Sequence, residues 1–482
     1  MFLITFGVLF IIITCYIVQY YWNKRHLPPG LPSLPLLGSI PFLQCQGLMG
    51  ILDPSLMLKY GKLYTIDVIW NRIIVINDFS LAKNLFNRDD MSGRIQMYYE
   101  TYVKGYNGIA YGIASSEGIL WQNQRRFSLM KLKNLGFGKK SIEIIIYEQI
   151  INLFEMIETQ KDSFNDLFIK DIFTIPVVNV LWKIVASKSY DWRNSGERKV
   201  LAAVNEVFGA AYETNFFLEK FRHFLPYDIA DKSTLKLRQI MEELIDEHTQ
   251  NLDENSPNDF MDVYLIEMKK NVDSTFSKKQ LASLCIDLFL AGAETTNTTL
   301  VWALLYMSLY EGVQEKCAEE INSVLGSRMP QEEDMKNLPY TIATLNEIQR
   351  LCNTAPASLP HKNLKDIKIG DYVVPKGTLF LANLIGFHHD PNIFENPQQF
   401  NPDRWLHYKS CPQQFVPFGF GKRICMGVSL AKKELYYFFV MLIKMFIIRV
   451  PLYHKRPDPN ETNVSLTKSP SPFYVNITKR DV

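Results

Sequence analysis

One cysteine stands in a setting that suits a thiolate. The run Phe418-Gly419-Phe420-Gly421-Lys422-Arg423-Ile424-Cys425-Met426-Gly427 precedes the helical stretch VSLAKKELYYFFVMLIK. Its glycines permit a tight loop whose backbone can approach a flat ligand closely. Cys425 lies just ahead of a helix, whose free N–H groups and dipole favour a thiolate over a thiol. Phe418 can cover the sulfur and Arg423 can meet an anion, so the loop is a seat for an anionic sulfur ligand. A buried free cysteine beside a glycine turn, or a phosphate loop, would use similar residues. No Gly-Lys-Ser/Thr follows, which counts against the phosphate loop.

Polar residues also collect where an apolar helix should run. Residues 278–310 form the longest apolar stretch after the first 22 residues, interrupted by Asp287, Glu294 and Thr295-Thr296-Asn297-Thr298-Thr299. Charges of this kind argue against a second membrane span, and a helix apolar nearly all round belongs in a large core. Elsewhere, Trp121-Gln122-Asn123-Gln124-Arg125 puts an indole donor and a guanidinium one turn apart. Both suit a carboxylate, although an amphipathic surface helix has the same pattern. Glu347-Ile348-Gln349-Arg350 sets an acid and a base on one helical face at i, i+3. Alone it decides nothing, since about one such pair is expected by chance in a chain of this length.

Together these segments resemble, in content and order, the cytochrome P-450 haem-thiolate monooxygenases. The family's cysteine signature, Phe-x-x-Gly-x-Arg-x-Cys-x-Gly, is matched at Phe418, Gly421, Arg423, Cys425 and Gly427. The resemblance implies a mainly α fold with a small β region, with haem b between the long central helix and the cysteine loop. Cys425 would be the axial iron ligand, as cysteine thiolate is in that family, with Phe418 beside it. Ala291-Gly292-Ala293-Glu294-Thr295-Thr296 resembles the family's Ala/Gly-Gly-x-Asp/Glu-Thr-Thr/Ser motif. There the small pair lets the helix approach the haem, Thr295 orients the proton donor and water, and Glu294 assists proton supply. By the same resemblance Trp121, Arg125, His361, Arg94 and Arg423 hold the haem propionates. Glu347 and Arg350, with Arg404 of Phe400-Asn401-Pro402-Asp403-Arg404-Trp405, form a buried ion network that holds the cysteine loop, a structural role and not a catalytic one.

The family's distal pocket maps to residues around 95–115, 205–225, 287–295, 354–359 and 470–473. Ala291, Ala355 and Ala357 leave room there, and Phe216, Phe217 and Phe473 supply the apolar surface usual in small-molecule sites. The implied reaction inserts one oxygen atom of O2 into a lipophilic small molecule (xenobiotic, steroid or fatty acid) using NADPH-derived electrons. NADPH itself would bind a partner, the NADPH-dependent flavoprotein reductase, docked on a basic face of Arg126, Lys131, Lys133, Lys422, Lys432 and Lys433. Two other readings are a haem-thiolate isomerase or lyase acting on peroxides without a reductase, and a non-catalytic haem carrier. Glu294-Thr295 speaks against the isomerase, which needs no proton delivery to dioxygen. Two residues depart from the family pattern: Leu31 replaces a usual proline, and Trp70-Asn71-Arg72 replaces a glycine-containing turn.

The elements that must carry this chemistry fall into three parts. The 482 residues balance 52 Lys plus Arg against 50 Asp plus Glu, a net charge of +2 that excludes a dedicated nucleic-acid binder. Residues 1–22 contain no charged side chain and are long enough to cross a bilayer. Tyr16, Tyr20, Tyr21 and Trp22 mark an interface, and Lys24 and Arg25 mark the cytosolic side. A cleaved signal would want a basic start and a small-x-small site, both missing. Residues 1–22 therefore read as a single-pass endoplasmic reticulum anchor, 23–38 as a basic, proline-rich neck, and 39–482 as a cytosolic catalytic domain. In that compartment the sequons at Asn460, Asn463 and Asn476 stay unglycosylated. Seven scattered cysteines without a CxxC pair indicate neither a disulfide framework nor structural zinc. Locally, residues 63–76 predict a hairpin turning at Trp70-Asn71-Arg72, and the run Ser256-Pro257-Asn258-Asp259 is expected to cap the opening of FMDVYLIEM. The segment around Phe216–Arg222 could dip into the membrane or pack in the core.

Overall fold

The computed structural model describes residues 2–44, 47–69, 71–197, 203–204, 206–207, 226, 228–270 and 274–481. Trp70 and the expected pocket residues Phe216 and Phe217 lie outside the described residues, as does the whole segment 216–222, expected to dip into the membrane or to pack in the core. The fold is mainly helical with small sheets, as expected.

At its centre is a helix over Lys278–Leu309, opened by Ser277, whose hydroxyl accepts the Gln280 N–H at 3.2 Å. It has no proline, and apolar side chains on nearly every face bury it in the largest core cluster. Phe289 meets Trp182 edge-on at 4.9 Å between centroids, and Trp302 stacks towards Tyr306. Each such large side chain contributes about 1.5–3 kcal/mol on full burial, so packing holds this helix more than its own propensity does. Gly292 serves that packing. A Cβ there would sit 2.5 Å from Leu181 Cδ2 on the helix Thr174–Ala186. The expected purpose of the small pair therefore divides: Gly292 spaces two helices, and Ala291 alone is exposed.

A five-stranded sheet orders β1 (Leu63–Val68), β2 (Asn71–Ile76), then Leu379–Ala382, His361–Lys362 and Gly93–Arg94. Only β2 and Leu379–Ala382 run parallel. The hairpin is present, but its turn comes earlier than the sequence suggests. Asn71 already pairs with Val68, and Ile69 takes the left-handed φ of 55°. The register decides this, because it leaves two residues between the strands.

The neck runs along the free edge of β1. Thr65 donates its N–H to Pro29 O at 2.8 Å and accepts from Leu31 N–H at 3.2 Å. A proline at 31 would have no N–H to give, so the departure from the family pattern supplies a sheet hydrogen bond. Gly30 is required by the same contact, since a Cβ there would lie 1.9 Å from Thr65 O. The N-terminal helix, Phe2–Trp22, is exposed from Thr5 to Gln19 and meets the body at its end. Lys24 pairs with Asp67 at 2.7 Å, and the Tyr20 hydroxyl reaches Ser33 and Asp67. Burial alone would raise the Asp67 pKa, but Arg72 and Lys24 bring it below the ordinary value.

The chain ends in a second sheet, in which Phe473–Lys479 lies between Asp166–Ile169 and Phe446–Arg449. Within the expected capping run, Asp259 is the residue that caps the helix Phe260–Lys269, accepting the Asp262 N–H at 3.0 Å. Cys15, Cys285, Cys317, Cys352, Cys411 and Cys425 are free thiols.

Candidate functional site

The cysteine loop closes on itself by main-chain geometry. Cys425 N–H donates to Phe418 O at 3.0 Å, and Gly419 and Gly421 take φ of 69° and 76°. A Cβ on Gly421 would lie 2.4 Å from Phe86 O, so only glycine lets the loop seat there. Gly427 then caps the helix Val428–Met445, which begins three residues after Cys425. The surrounding protein pushes the Cys425 thiol pKa up, against the opposing pull of the Gly427 N–H and the Arg125 guanidinium. Its side chain remains accessible. Phe418 acts here through its carbonyl, and its ring lies 6.0 Å from Lys432 Nζ.

Beside the loop, five residues from four parts of the chain converge. The sheet pairs Arg94 with His361, and the helix Gly118–Asn134 supplies Trp121 and Arg125. Arg423 lies with its guanidinium 3.9 Å from the Trp121 ring centre. It also donates to Ser92 O, Ile113 O and Ser116 O at 2.6–3.0 Å. Burial, then repulsion from Arg94 and Arg125, lowers Arg423 to about 8. Burial, then Arg125, lowers Arg94 to about 9. His361 stacks on Phe86 at 3.7 Å and contacts Met91 O through Nδ1 at 2.8 Å. Burial and the two arginines keep it neutral, well below its usual pKa.

None of the three arginines forms an ion pair among the described residues, and the buried Trp121 Nε1 has no hydrogen-bond partner. Clustered, desolvated cations around an unused N–H are costly unless an anion joins them. The residues fit a group bearing carboxylates next to a metal at Cys425, which is what haem b is.

On the central helix, Thr295 Oγ1 donates to Ala291 O at 2.9 Å, the back-bond open to a threonine inside a helix. With its one hydrogen used, the hydroxyl is left to accept. Glu294 turns elsewhere: its Oε1 accepts from Thr298 at 3.0 Å and Thr467 at 3.2 Å. Burial raises its pKa, and the two hydroxyls only partly oppose this.

The ion network is assembled as expected. Glu347 Oε1 accepts from Arg350 at 2.8 Å, Arg404 at 3.0 Å and Asn401 N–H at 2.9 Å. Its Oε2 accepts from Arg350 at 2.8 Å and Trp405 Nε1 at 2.9 Å. Glu347 and Arg350 are fully buried. Sequence reasoning missed the link from this network to the cysteine loop, which is His388. Its carbonyl accepts from Arg350, its Nδ1 meets Asn353 Oδ1 at 2.7 Å, and its Nε2 accepts Val416 N–H at 2.9 Å. A histidine in an apolar stretch offered no signal of this.

Asp287 did offer one, as a lone acid in an apolar helix. Its Oδ2 accepts the N–H groups of Ile113 and Ala114 at 2.6 and 2.8 Å, and Oδ1 takes Lys104 at 2.6 Å. The loop that gives carbonyls to Arg94 and Arg423 is thereby fastened to the central helix.

Among the expected pocket residues, Ala291 is exposed and Ala355 half-buried. Ala357 packs in the cluster beneath the neck, and Phe473 packs in the main core. The basic face loses a member. Lys433 is 3% exposed and bound to Glu332 at 2.6 Å, because its side of the helix faces inward. Arg126, Lys133, Lys422 and Lys432 are exposed, and Lys131 is half-buried.

Comparison with known proteins agrees with this geometry. The family model described as Cytochrome P450 matches residues 28–477. Cytochrome P450 2U1 of Homo sapiens is 32% identical over 500 residues, covering 95% of this chain and 90% of that protein. Farnesoate epoxidase of Bombyx mori is 31% identical over 464 residues, covering 92% of each. Cytochrome P450 2J2 of Homo sapiens is 33% identical over 443 residues, covering 89% of this chain and 87% of that protein.

Proposed function

The chain belongs to the cytochrome P450 family, and we propose that Cys425 binds the haem iron while Trp121, Arg125, Arg94, His361 and Arg423 form its propionate site. As a family member the protein is a haem-thiolate monooxygenase of lipophilic substrates, served by a redox partner. The observation that carries the assignment of residues is the unpaired arginine cluster around the unused Trp121 N–H, next to the cysteine loop.

When bound, the haem supplies one-electron chemistry and the activation of dioxygen. The protein's residues do the rest. Arg94, Arg125 and Arg423 would neutralise the haem propionates, and the Trp121 N–H would be free to donate to a carboxylate there. Thr295, its hydrogen held by Ala291 O, has only lone pairs left to offer, so its hydroxyl would accept from a water and orient that water as a proton donor. Glu294, kept protonated to higher pH by burial, holds a proton within one turn of the helix. Ala291 and Ala355 leave space for substrate.

The electron donor is the NADPH-dependent flavoprotein reductase, docked on Arg126, Lys133, Lys422 and Lys432. The helix Phe2–Trp22 is a single-pass anchor in the endoplasmic reticulum membrane, with 23–38 as neck and 39–482 as cytosolic catalytic domain. The exposed apolar helix with Lys24 and Arg25 behind it supports that placement. A xenobiotic, steroid or fatty acid is the substrate class, and the relative named for farnesoate makes long unsaturated acids the first panel to try.

The test reconstitutes the full chain with the reductase and follows NADPH, hydrogen peroxide and product together. Cys425→Ala is expected to lose the thiolate band of the reduced carbon-monoxide complex, and a retained band overturns the ligand. Thr295→Ala is expected to keep that band yet release more peroxide per NADPH. Unchanged coupling removes Thr295 from proton delivery.

A further inference from the structure

One acid deep in the protein has no role in the chemistry above. Glu434, on the cysteine helix Val428–Met445, is 2% exposed. Its Oε1 has no hydrogen-bond partner, and its Oε2 has one contact, the Thr296 hydroxyl at 3.4 Å. A buried carboxylate ordinarily needs a cation or several donors. Glu434 forms no ion pair among the described residues. The adjacent Lys433 is taken by Glu332, with Glu143 at 4.0 Å, and Lys444 is taken by the carbonyls of Gly326 and Arg328. An ionised Glu434 would therefore be a bare charge in the core, whereas a neutral carboxylic acid is far cheaper to bury and can share its proton with the Thr296 hydroxyl. Desolvation accordingly pushes its pKa well above the ordinary value, opposed only by Thr296.

The position of this contact gives it meaning. The cysteine helix begins three residues after Cys425, and Thr296 follows Thr295 on the central helix. Thr296 is itself 4% exposed, so the contact lies between the two helices. We propose that Glu434 is a positioning residue, a carboxylic acid held in its protonated form and hydrogen-bonded to Thr296, which fixes the helical turn carrying Thr295 against the helix that follows Cys425. Its effect on the reaction passes through Thr295 and so rests on the role given to Thr295 above. Its protonation state does not.

Infrared difference spectra of wild type against Glu434→Gln test the protonation directly. They are expected to show a protonated-acid carbonyl band at neutral pH that shifts in D2O and is missing from the variant. Absence of such a band means that Glu434 is ionised and overturns the proposal. For the positioning role, Glu434→Leu is expected to keep the thiolate band of the carbon-monoxide complex. Its product per NADPH is expected to fall roughly two- to tenfold, the scale of one lost neutral hydrogen bond. Glu434→Gln, which retains a neutral polar partner for Thr296, is expected to recover most of that loss. Wild-type coupling in Glu434→Leu, or equal losses in the two variants, overturns it. Should Glu434→Leu fail to fold, Thr296→Val breaks the contact from the other side and is expected to uncouple by the same factor. Coupling unchanged in Thr296→Val overturns the proposal. Full coupling in Thr295→Ala refutes the Thr295 reading while leaving the acid band untouched, so the two failures are distinguishable.

Discussion

Replacing Glu347 with Gln changes one oxygen to an NH2 group, and the structure says what that should cost. The carboxylate takes three donors on Oε1, from Arg350, Arg404 and Asn401, and two on Oε2, from Arg350 and Trp405. An amide can satisfy only one of those sets. With its oxygen towards the three, its NH2 faces Arg350 Nε–H and the Trp405 indole N–H, leaving both donors unpaired. Each orphaned buried donor costs about 1–3 kcal/mol, and more when charged. Two guanidiniums also lose their counter-charge, for which removal of one partner from a buried pair costs about 3–5 kcal/mol. The two figures overlap, so a loss of about 3–5 kcal/mol is expected in denaturant unfolding. The loss should reach the cysteine loop through Arg350, His388 and Val416, lowering the fraction of protein with a thiolate carbon-monoxide band. The exposed pair Lys316–Asp403, at 2.8 Å with both side chains 50% exposed, is the control. Asp403→Asn should cost no more than about 1 kcal/mol. If Glu347→Gln costs as little as the control, the network does not bear on stability as argued.

Trp121→Phe keeps the ring and removes an N–H without a protein partner, so unfolding of the haem-free protein should change little. Haem loss should quicken by roughly tenfold or more, the scale of a hydrogen bond to a charged group; unaltered haem retention would show that the indole does not serve the cofactor. Lys432→Glu should slow reductase-driven turnover, most at low salt, and spare peroxide-driven turnover. Lys433→Glu should instead destabilise the fold, and the opposite pattern would refute the placement of the two lysines. Burial holds the His388 pKa at about 3 against its ordinary 6.5, so between these values the unfolded chain binds a proton that the folded chain does not. Its contribution is full above pH 6.5 and falls by about 1.4 kcal/mol per unit below it. Denaturation at pH 7.5 and 5.5 should therefore show a larger loss for wild type than for His388→Gln, and equal losses would contradict the buried neutral ring.

By itself the sequence determined what is local or carried by a motif. The apolar stretch of the anchor, the central helix with its polar interruption, the cap at Asp259 and the cysteine loop depend on neighbours a few positions apart. Those short-range constraints can be read from spacing. Even the partners in the ion network were legible, because Glu347, Arg350 and Arg404 sit in recognisable segments. Tertiary structure decided which faces turn inward and which distant groups meet. Lys432 and Lys433 are adjacent and alike, yet one reaches solvent and the other is buried on Glu332, because helix rotation is set by packing across the whole core. Gly292 spaces the helix bearing Leu181, and Asn71 pairs where a turn was expected, because contact and register are long-range properties. The same holds for His388, the Lys104–Asp287 latch and the unpaired Glu434. A polar residue's role in a core depends on what lies within about 3 Å of it, and these partners come from segments that no local pattern joins.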